Sequence, residues 1–459
     1  MKKILAIFLV LVLCLSLTAC DVTFLSSESL MRPPKLSGES SLLQKAFEAS
    51  VLDIENVIMK TPISGQNRSS YLFYDLDKDG KQEGFVFYSK PVEDVCAYVS
   101  VFKYINGEWK NISTIKGKSE EIYEVNFSDI NGDNISEIFL SWTGINVSDN
   151  DNSYDFGTSN DRVLTVYGCN NETTTLLKTE TYSNLFLYDL NNDNCDEIVL
   201  FLINLVESEK RTTARILSFN NDYSVVLDEA LTLTGFLEIN NIITDSVDIN
   251  DEKHTRIFID GSVSEQGMLT EIIDISENTF NFTLPLYEQN NSVNPKTLRA
   301  SRVNCRDIDN DGVVEIPTIE LLPYGARISK NETERKELYM VVWSEFSNDD
   351  IQIDFKCLMN STFGYLFKIS ENSIENLTAV YDDNEFTLAF YLYDSDGKYT
   401  DELFSIKTFL EPEWGKNSFE YSKLSENSTY VYGVLIFNDE IKDELKEFIN
   451  ENFYVLNQE

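Results

Sequence analysis

Apolar residues recur along this chain in short bursts, each closed by a run rich in Asp and Asn. Bursts of that length, bounded by turn-forming residues, predict β-strands. Near the beginning the spacing differs. Leu42, Leu43, Ala46, Phe47, Val51 and Ile54 fall at helical intervals, so a helix is expected within residues 41–58. From about 65 to 350 one phrase repeats: a strand, an acidic loop, a strand. Its copies read Asp75-Leu-Asp77-Lys-Asp79-Gly80-Lys81-Gln-Glu83, Asp129-Ile-Asn131-Gly-Asp133-Asn134-Ile135-Ser-Glu137, Asp189-Leu-Asn191-Asn-Asp193-Asn194-Cys195-Asp-Glu197 and Asp307-Ile-Asp309-Asn-Asp311-Gly312-Val313-Val-Glu315.

The copies begin at 75, 129, 189 and 307, so the gaps are 54, 60 and 118, the last being twice 59. A missing copy should begin near 248. Val247-Asp248-Ile-Asn250-Asp-Glu252-Lys-His254-Thr-Arg256 stands there, retaining the frame but carrying Glu252 at position five and Arg256 at position nine. Five units of about 59 residues are therefore visible. After the third loop the pattern predicts strands at 197–205, 213–219, 224–227 and 236–243. Four short strands per unit is the size of a propeller blade. The expected fold class is mainly β, a β-propeller-like repeat domain followed by a small α+β C-terminal domain. The expected divisions are 1–19, a signal peptide; 20–40, a tether; 41–354, the repeat domain; and 355–459, the C-terminal domain. That last part has strand patterns at 365–369, 386–392, 403–408 and 430–437, then a helical face of Ile441, Leu445, Phe448 and Ile449. Its Asp394-Ser-Asp396-Gly397 reads as a hairpin turn.

The loop spacing has a chemical reading. A hard divalent cation such as Ca²⁺ takes ~6–8 oxygen ligands at ~2.3–2.6 Å. Positions one, three and five of a tight loop can turn side-chain oxygens to one point, and position nine adds a carboxylate. Position seven offers its backbone carbonyl, which leaves its side chain free to vary among Lys81, Ile135, Cys195 and Val313. Position six must turn sharply, and Gly80, Asn134, Asn194 and Gly312 tolerate left-handed backbone angles. An EF-hand is disfavoured, because its loop needs ~12 residues between two helices. The alternative is an Asp/Asn-rich turn held by hydrogen bonds alone.

The loops with their flanking strands resemble those of the FG-GAP and VCBS repeat families, the repeats of integrin-α-like propellers. The resemblance covers roughly residues 65–350. It implies up to four structural calcium ions: one at Asp75, Asp77, Asp79, Lys81 and Glu83, and one at Asp129, Asn131, Asp133, Ile135 and Glu137. A third would sit at Asp189, Asn191, Asp193, Cys195 and Glu197, and a fourth at Asp307, Asp309, Asp311, Val313 and Glu315. The Asp248 copy is expected to be metal-free, with Arg256 as a built-in cation.

Composition changes the picture in three respects. A net charge of −40 disfavours nucleic acid and anionic lipid as partners of the folded body. A hydrophobic fraction of 42% supplies a core. At the N-terminus, Lys2 and Lys3 precede an apolar run from Ile4 to Leu17, too short for an ordinary membrane span, and then Leu17-Thr18-Ala19-Cys20. This resembles the lipobox of bacterial lipoproteins, which implies cleavage before Cys20, lipidation of its thiol and anchorage to the outer face of the cell membrane. Ser-rich and Pro-containing text after it reads as a tether. Cys96, Cys169, Cys195, Cys305 and Cys357 form no CxxC pair and suggest neither a disulfide framework nor a zinc site.

The chain has one histidine, His254, and no GxSxG, P-loop or HExxH motif. Catalysis is therefore not expected. A pair of carboxylates for glycoside hydrolysis is the enzymatic alternative, and a scaffold presenting the C-terminal domain is a third reading. The expected role is a calcium-stabilised binding or adhesion module for a protein or glycan. Trp109, Trp142, Trp343 and Trp414 are candidates for stacking on sugar or for core packing.

Overall fold

A computed structural model describes residues 38–459 apart from 53, 91–95, 144–161, 171, 207–208, 250, 266, 287–295, 330–334, 348–349, 370–373, 417, 419, 438–440 and 457–459. The expected signal peptide, Cys20 and nearly all of the tether lie outside the described residues. No helix among the described residues is long and apolar enough to cross a membrane.

The protein is mainly β and divides into two compact units. The first comprises the described part of Met1–Ile122 with Asn170–Thr174. It holds helix α1 (Glu39–Ser50) and an antiparallel sheet of β1 (Ile58–Met59), β2 (Tyr71–Tyr74), β3 (Glu83–Ser89), β4 (Ala97–Ile105) and β5 (Glu108–Lys116). The helix is shorter than expected, giving way to a 3₁₀ turn at Ile54–Asn56. Its Leu43 and Phe47 pack on Val86, Tyr88 and Phe102.

The second unit is Tyr123–Cys169 with Thr175–Glu459. Three antiparallel meanders follow in chain order. They are β6 (Glu121–Ser128) to β9 (Thr174–Tyr182) through β7 (Glu137–Thr143) and β8 (Arg162–Cys169); β10 (Asn184–Tyr188), β11 (Glu197–Val206), β12 (Glu209–Phe219) and β13 (Val225–Leu233); and β14 (Glu238–Ile249), β15 (Glu252–Ser264), β16 (Gly267–Ser276) and β17 (Asn281–Thr283). The inner strands read as unbroken apolar runs because both faces are covered, as strand periodicity requires. On β11, Ile198 and Leu200 join Phe139, Leu164 and Val166 of the preceding sheet. The alternate residues Val199, Phe201 and Ile203 join Ile257, Ile259 and Leu269 of the following one. Phe258 and Ile272 then face Val314, Ile316 and Phe346.

The remaining strands form one ten-stranded, nearly closed barrel-like sheet. They are β18 (Glu315–Ile328), β19 (Arg335–Ser347), β20 (Asp350–Asn360), β21 (Tyr365–Lys368), β22 (Leu377–Asp382), β23 (Thr387–Tyr393), β24 (Tyr399–Leu410), β25 (Ser422–Glu426), β26 (Tyr430–Ile436) and β27 (Phe453–Val455). The expected division after residue 354 falls inside β20. That strand pairs with β19 on one side and β21 on the other, so β18–β20 run on into the C-terminal strands without a linker. Helix α2 (Lys442–Asn452) lays Leu445, Phe448 and Ile449 against Phe367, Phe390 and Phe404. Asp394–Gly397 is the hairpin turn between β23 and β24, its Asp394 Oδ1 accepting from the Asp396 and Lys398 N–H groups.

Candidate metal loops

Each acidic loop leads into the strand that its position-nine Glu begins. The four loops share one hydrogen-bond scheme. The position-nine carboxylate Oε2 accepts from the position-two N–H: Leu76 to Glu83 at 2.9 Å, Ile130 to Glu137 at 3.1 Å, Leu190 to Glu197 at 2.9 Å and Ile308 to Glu315 at 2.8 Å. The position-one Oδ2 accepts from position six: Gly80 to Asp75, Asn134 to Asp129, Asn194 to Asp189 and Gly312 to Asp307. The position-five Oδ1 accepts from position seven: Lys81 to Asp79, Ile135 to Asp133, Cys195 to Asp193 and Val313 to Asp311, each at 2.8 Å. So the side chains at position seven are free to differ while their N–H groups are fixed. Position six has positive φ in every copy, from 64° at Asn134 to 94° at Gly312. Position four does too, at Lys78, Gly132, Asn192 and Asn310. This second left-handed position escaped the sequence reading, although Gly or Asn in three of the four copies signalled it.

Beyond this common frame the loops diverge. Among the described residues, two acidic groups bring their oxygens within 4.8 Å of one another and could hold a metal ion: Asp307, Asp309, Asp311 and Glu315, and Asp75, Asp77 and Glu83. In the middle copies the position-three residue is Asn, and its amide donates to position five, Asn131 to Asp133 at 3.2 Å and Asn191 to Asp193 at 3.0 Å.

The position-nine carboxylates are buried. Burial pushes Glu137 up to about 7, and Glu197 and Glu315 up to about 8, with the neighbouring aspartates adding to the rise. Glu83 is raised as well, also by burial. The free oxygens meet different neighbours. Glu137 Oε1 accepts from the Tyr223 hydroxyl at 2.8 Å. Glu315 Oε1, like Glu197 Oε1, is buried without a hydrogen bond. A hard cation would satisfy the Glu315 oxygen, and the donor set around it is entirely carboxylate, so the fourth loop fits a divalent metal.

The Asp248 copy has become a hairpin. Ile249 pairs with Glu252, leaving no room for a nine-residue loop, and Asp248 is exposed. Arg256 is buried as an internal cation, but its partner is Asp245, across the hairpin, rather than Asp248. The pair is bidentate, with Nε to Oδ1 at 2.7 Å and Nη2 to Oδ2 at 2.5 Å. The same carboxylate accepts the Val314 N–H at 3.0 Å, one residue before Glu315. His254 lies in β15, with Nδ1 2.6 Å from Asp274 Oδ1.

A second buried network was also unforeseen. Asp260 interrupts the apolar run of β15. It pairs with Arg299 at 2.7 Å and accepts from the Cys305 N–H at 2.6 Å and the Thr270 hydroxyl at 2.6 Å. This ties residues 297–305, the approach to the fourth loop, to the preceding sheet. No disulfide joins the five described cysteines.

Two cavities border acidic loops. One, of about 550 Å³, is lined by Leu42, Asp75, Gly80, Tyr104 and Trp109. The other, of about 360 Å³, lies beside the fourth loop between Asp307, Asp309, Phe355, Lys368 and Tyr454. The Lys368 ammonium sits 3.8 Å from the Phe355 ring centroid and 5.1 Å from that of Tyr454. Trp142 and Trp343 are fully buried core residues.

Comparison with protein-family models and with curated proteins gives no match. Among solved structures, a mutant α-L-arabinofuranosidase from Fusarium graminearum, in complex with an iminosugar inhibitor, aligns over 82% of this chain and 97% of its own, at 12% identity and TM-score 0.26. The tricorn protease aligns over 85% of this chain and 39% of its own, at 10% identity and TM-score 0.15. Likenesses this low bear on neither fold nor chemistry.

Proposed function

We propose that the protein is an exported, lipid-anchored surface protein that binds a protein or glycan of the envelope. On this reading its repeated sheets are blades of an FG-GAP/VCBS-type propeller, calcium in the acidic loops is structural, and the chain performs no catalysis. The observation that carries the reading is the shared bonding of the four loops, together with the convergence of Glu315 and three aspartates in the fourth, where Glu315 Oε1 has no partner.

The cavity beside the fourth loop is the candidate ligand site. It combines aromatic walls with a lysine ammonium and metal-loop carboxylates, the mixture that orients a polar ligand on a rigid frame. Glycan arrays and pull-downs from envelope extract, run in parallel, identify the class of ligand. Lys368→Ala should weaken the captured ligand about tenfold or more, the loss expected from truncating one side of a close charged contact. Unchanged affinity would move the site elsewhere. Sugar release from a polysaccharide panel would make the protein an enzyme and defeat the binding reading.

Anchorage has its own test. Cys20→Ala should shift the protein from the membrane fraction to the soluble exported fraction, because a lipid chain supplies the attachment. Retention in the membrane fraction would refute it.

A further inference from the structure

We propose that Lys103 is the resident cation of the first acidic loop, which therefore takes no metal, while the fourth loop depends on one. The inference rests on the reading that these loops hold calcium, and it concerns which of them does.

The sheet register sets up the difference. One strand over from each position-nine Glu stands the residue that faces it. For the fourth loop this is Glu345, paired with Glu315. For the first, Gly84 pairs with Phe102, and the next step brings Lys103 beside Glu83. Continuing the register in the same way places Gly168 beside Glu137 and Ser218 beside Glu197. One structural position thus carries a cation, a glycine that leaves room for the Tyr223 hydroxyl, a serine hydroxyl and a carboxylate in the four copies.

In the first copy the lysine fills the loop. Lys103 Nζ is 2.7 Å from Asp77 Oδ2 and 3.6 Å from Glu83 Oε1, and its side chain is only 18% exposed. These are two of the three acids whose oxygens converge there. Lys81 adds a second ammonium, 3.3 Å from Asp79 Oδ2. Four carboxylates thus meet two lysines. An ammonium is a compact point charge with three donors, able to serve several oxygens at once. A divalent ion entering the same space would have to expel it.

Among the described residues, no ammonium is seated between the acids of the fourth loop as Lys103 is in the first. Positions four and seven of the fourth loop are Asn310 and Val313, and the facing residue is another acid. Glu315 is fully buried, and Oε1 has no hydrogen-bond donor. Buried carboxylates in that setting require a cation to remain charged. The two loops therefore answer the same electrostatic demand in two ways, one with a covalently attached charge and one with a bound ion.

Calcium bound per chain, counted by native mass spectrometry and by equilibrium dialysis with calcium chloride on the full chain, decides the matter. Glu83→Gln, the same change at the same loop position as Glu315→Gln, should leave the count of the unmodified chain unchanged, whereas Glu315→Gln should lower it by one. Lys103→Met, which keeps the length of the stem and removes the charge, should raise it by one. A loss of one calcium on Glu83→Gln, or no gain on Lys103→Met, would overturn the proposal. Should Lys103→Met fail to fold, the contrast between Glu83→Gln and Glu315→Gln decides. A count of zero in the unmodified chain would overturn the calcium reading itself and the proposal with it, whereas a calcium-binding chain that loses an ion on Glu83→Gln would overturn the proposal alone.

Discussion

Replacing Asp260 with alanine should destabilise the second unit by about 3–5 kcal/mol, the cost typical of leaving one member of a buried ion pair uncompensated. Asp260 and Arg299 are both fully shielded from solvent. The aspartate also accepts from Cys305 N–H, Thr270 Oγ1 and Asn241 Nδ2, so the substitution takes an acceptor from three donors besides the guanidinium, of which Asn241 keeps the Cys305 carbonyl. Asp260→Asn keeps an acceptor but loses the charge, and should cost less. Urea unfolding followed by tryptophan fluorescence checks this, because the buried Trp343 lies in the same unit. A loss below about 1 kcal/mol, the range of an exposed pair, would show that water reaches the site or that Arg299 finds another acceptor.

What the sequence revealed follows from local rules. The acidic loops were legible because they need fixed residue types at fixed offsets: Asp at position one to accept from position six, and Gly or Asn where φ is positive. The decayed copy was legible as a departure at Asp248, although a period alone could not show that the loop had closed into a hairpin or that Arg256 would turn to Asp245. Features set by strand pairing were out of reach. Lys103 lies 20 residues beyond Glu83 and Asp260 lies 39 before Arg299, and only the folded register brings each pair together. The expected division at 354 failed to anticipate β20 for a related reason. A strand that pairs on both sides carries no linker composition to mark it, and Asp350–Asn360 reads simply as one more alternating segment.

The buried glutamates connect the sequence pattern to stability. Without a cation, burial holds Glu315 at about 8, so near neutral pH the carboxyl is mostly protonated and its loop mostly neutral at that position. A calcium ion would draw the proton off and convert a tolerated buried acid into a ligand. The same logic applies, with Asn at position three, to Glu197, and in weaker form to Glu137, which burial raises to about 7.

Calcium should therefore raise the melting temperature of the second unit more than any single stabilising substitution. A ligand that binds only the folded state contributes about 2.7 kcal/mol per site at a hundredfold excess over its Kd. With the two Asn-containing loops loaded as well as the fourth, three sites in that unit would together contribute about 8 kcal/mol, a rise on the order of 10 °C for a body of this size. The informative variant is Glu315→Gln. Its amide oxygen can still accept from Ile308 N–H, the bond that closes the loop in the absence of metal. In chelator the variant should therefore melt close to the unmodified chain, because a neutral amide replaces a carboxyl that is already mostly protonated there. In millimolar calcium it should lose roughly a third of the gain. Differential scanning calorimetry in chelator and in calcium measures both arms. Superimposable curves for the unmodified chain in the two conditions would remove calcium from the loops, and hydrogen bonding alone would then account for their repeated geometry. A Glu315→Gln chain that gains as much as the unmodified one would show instead that the fourth loop contributes none of the effect.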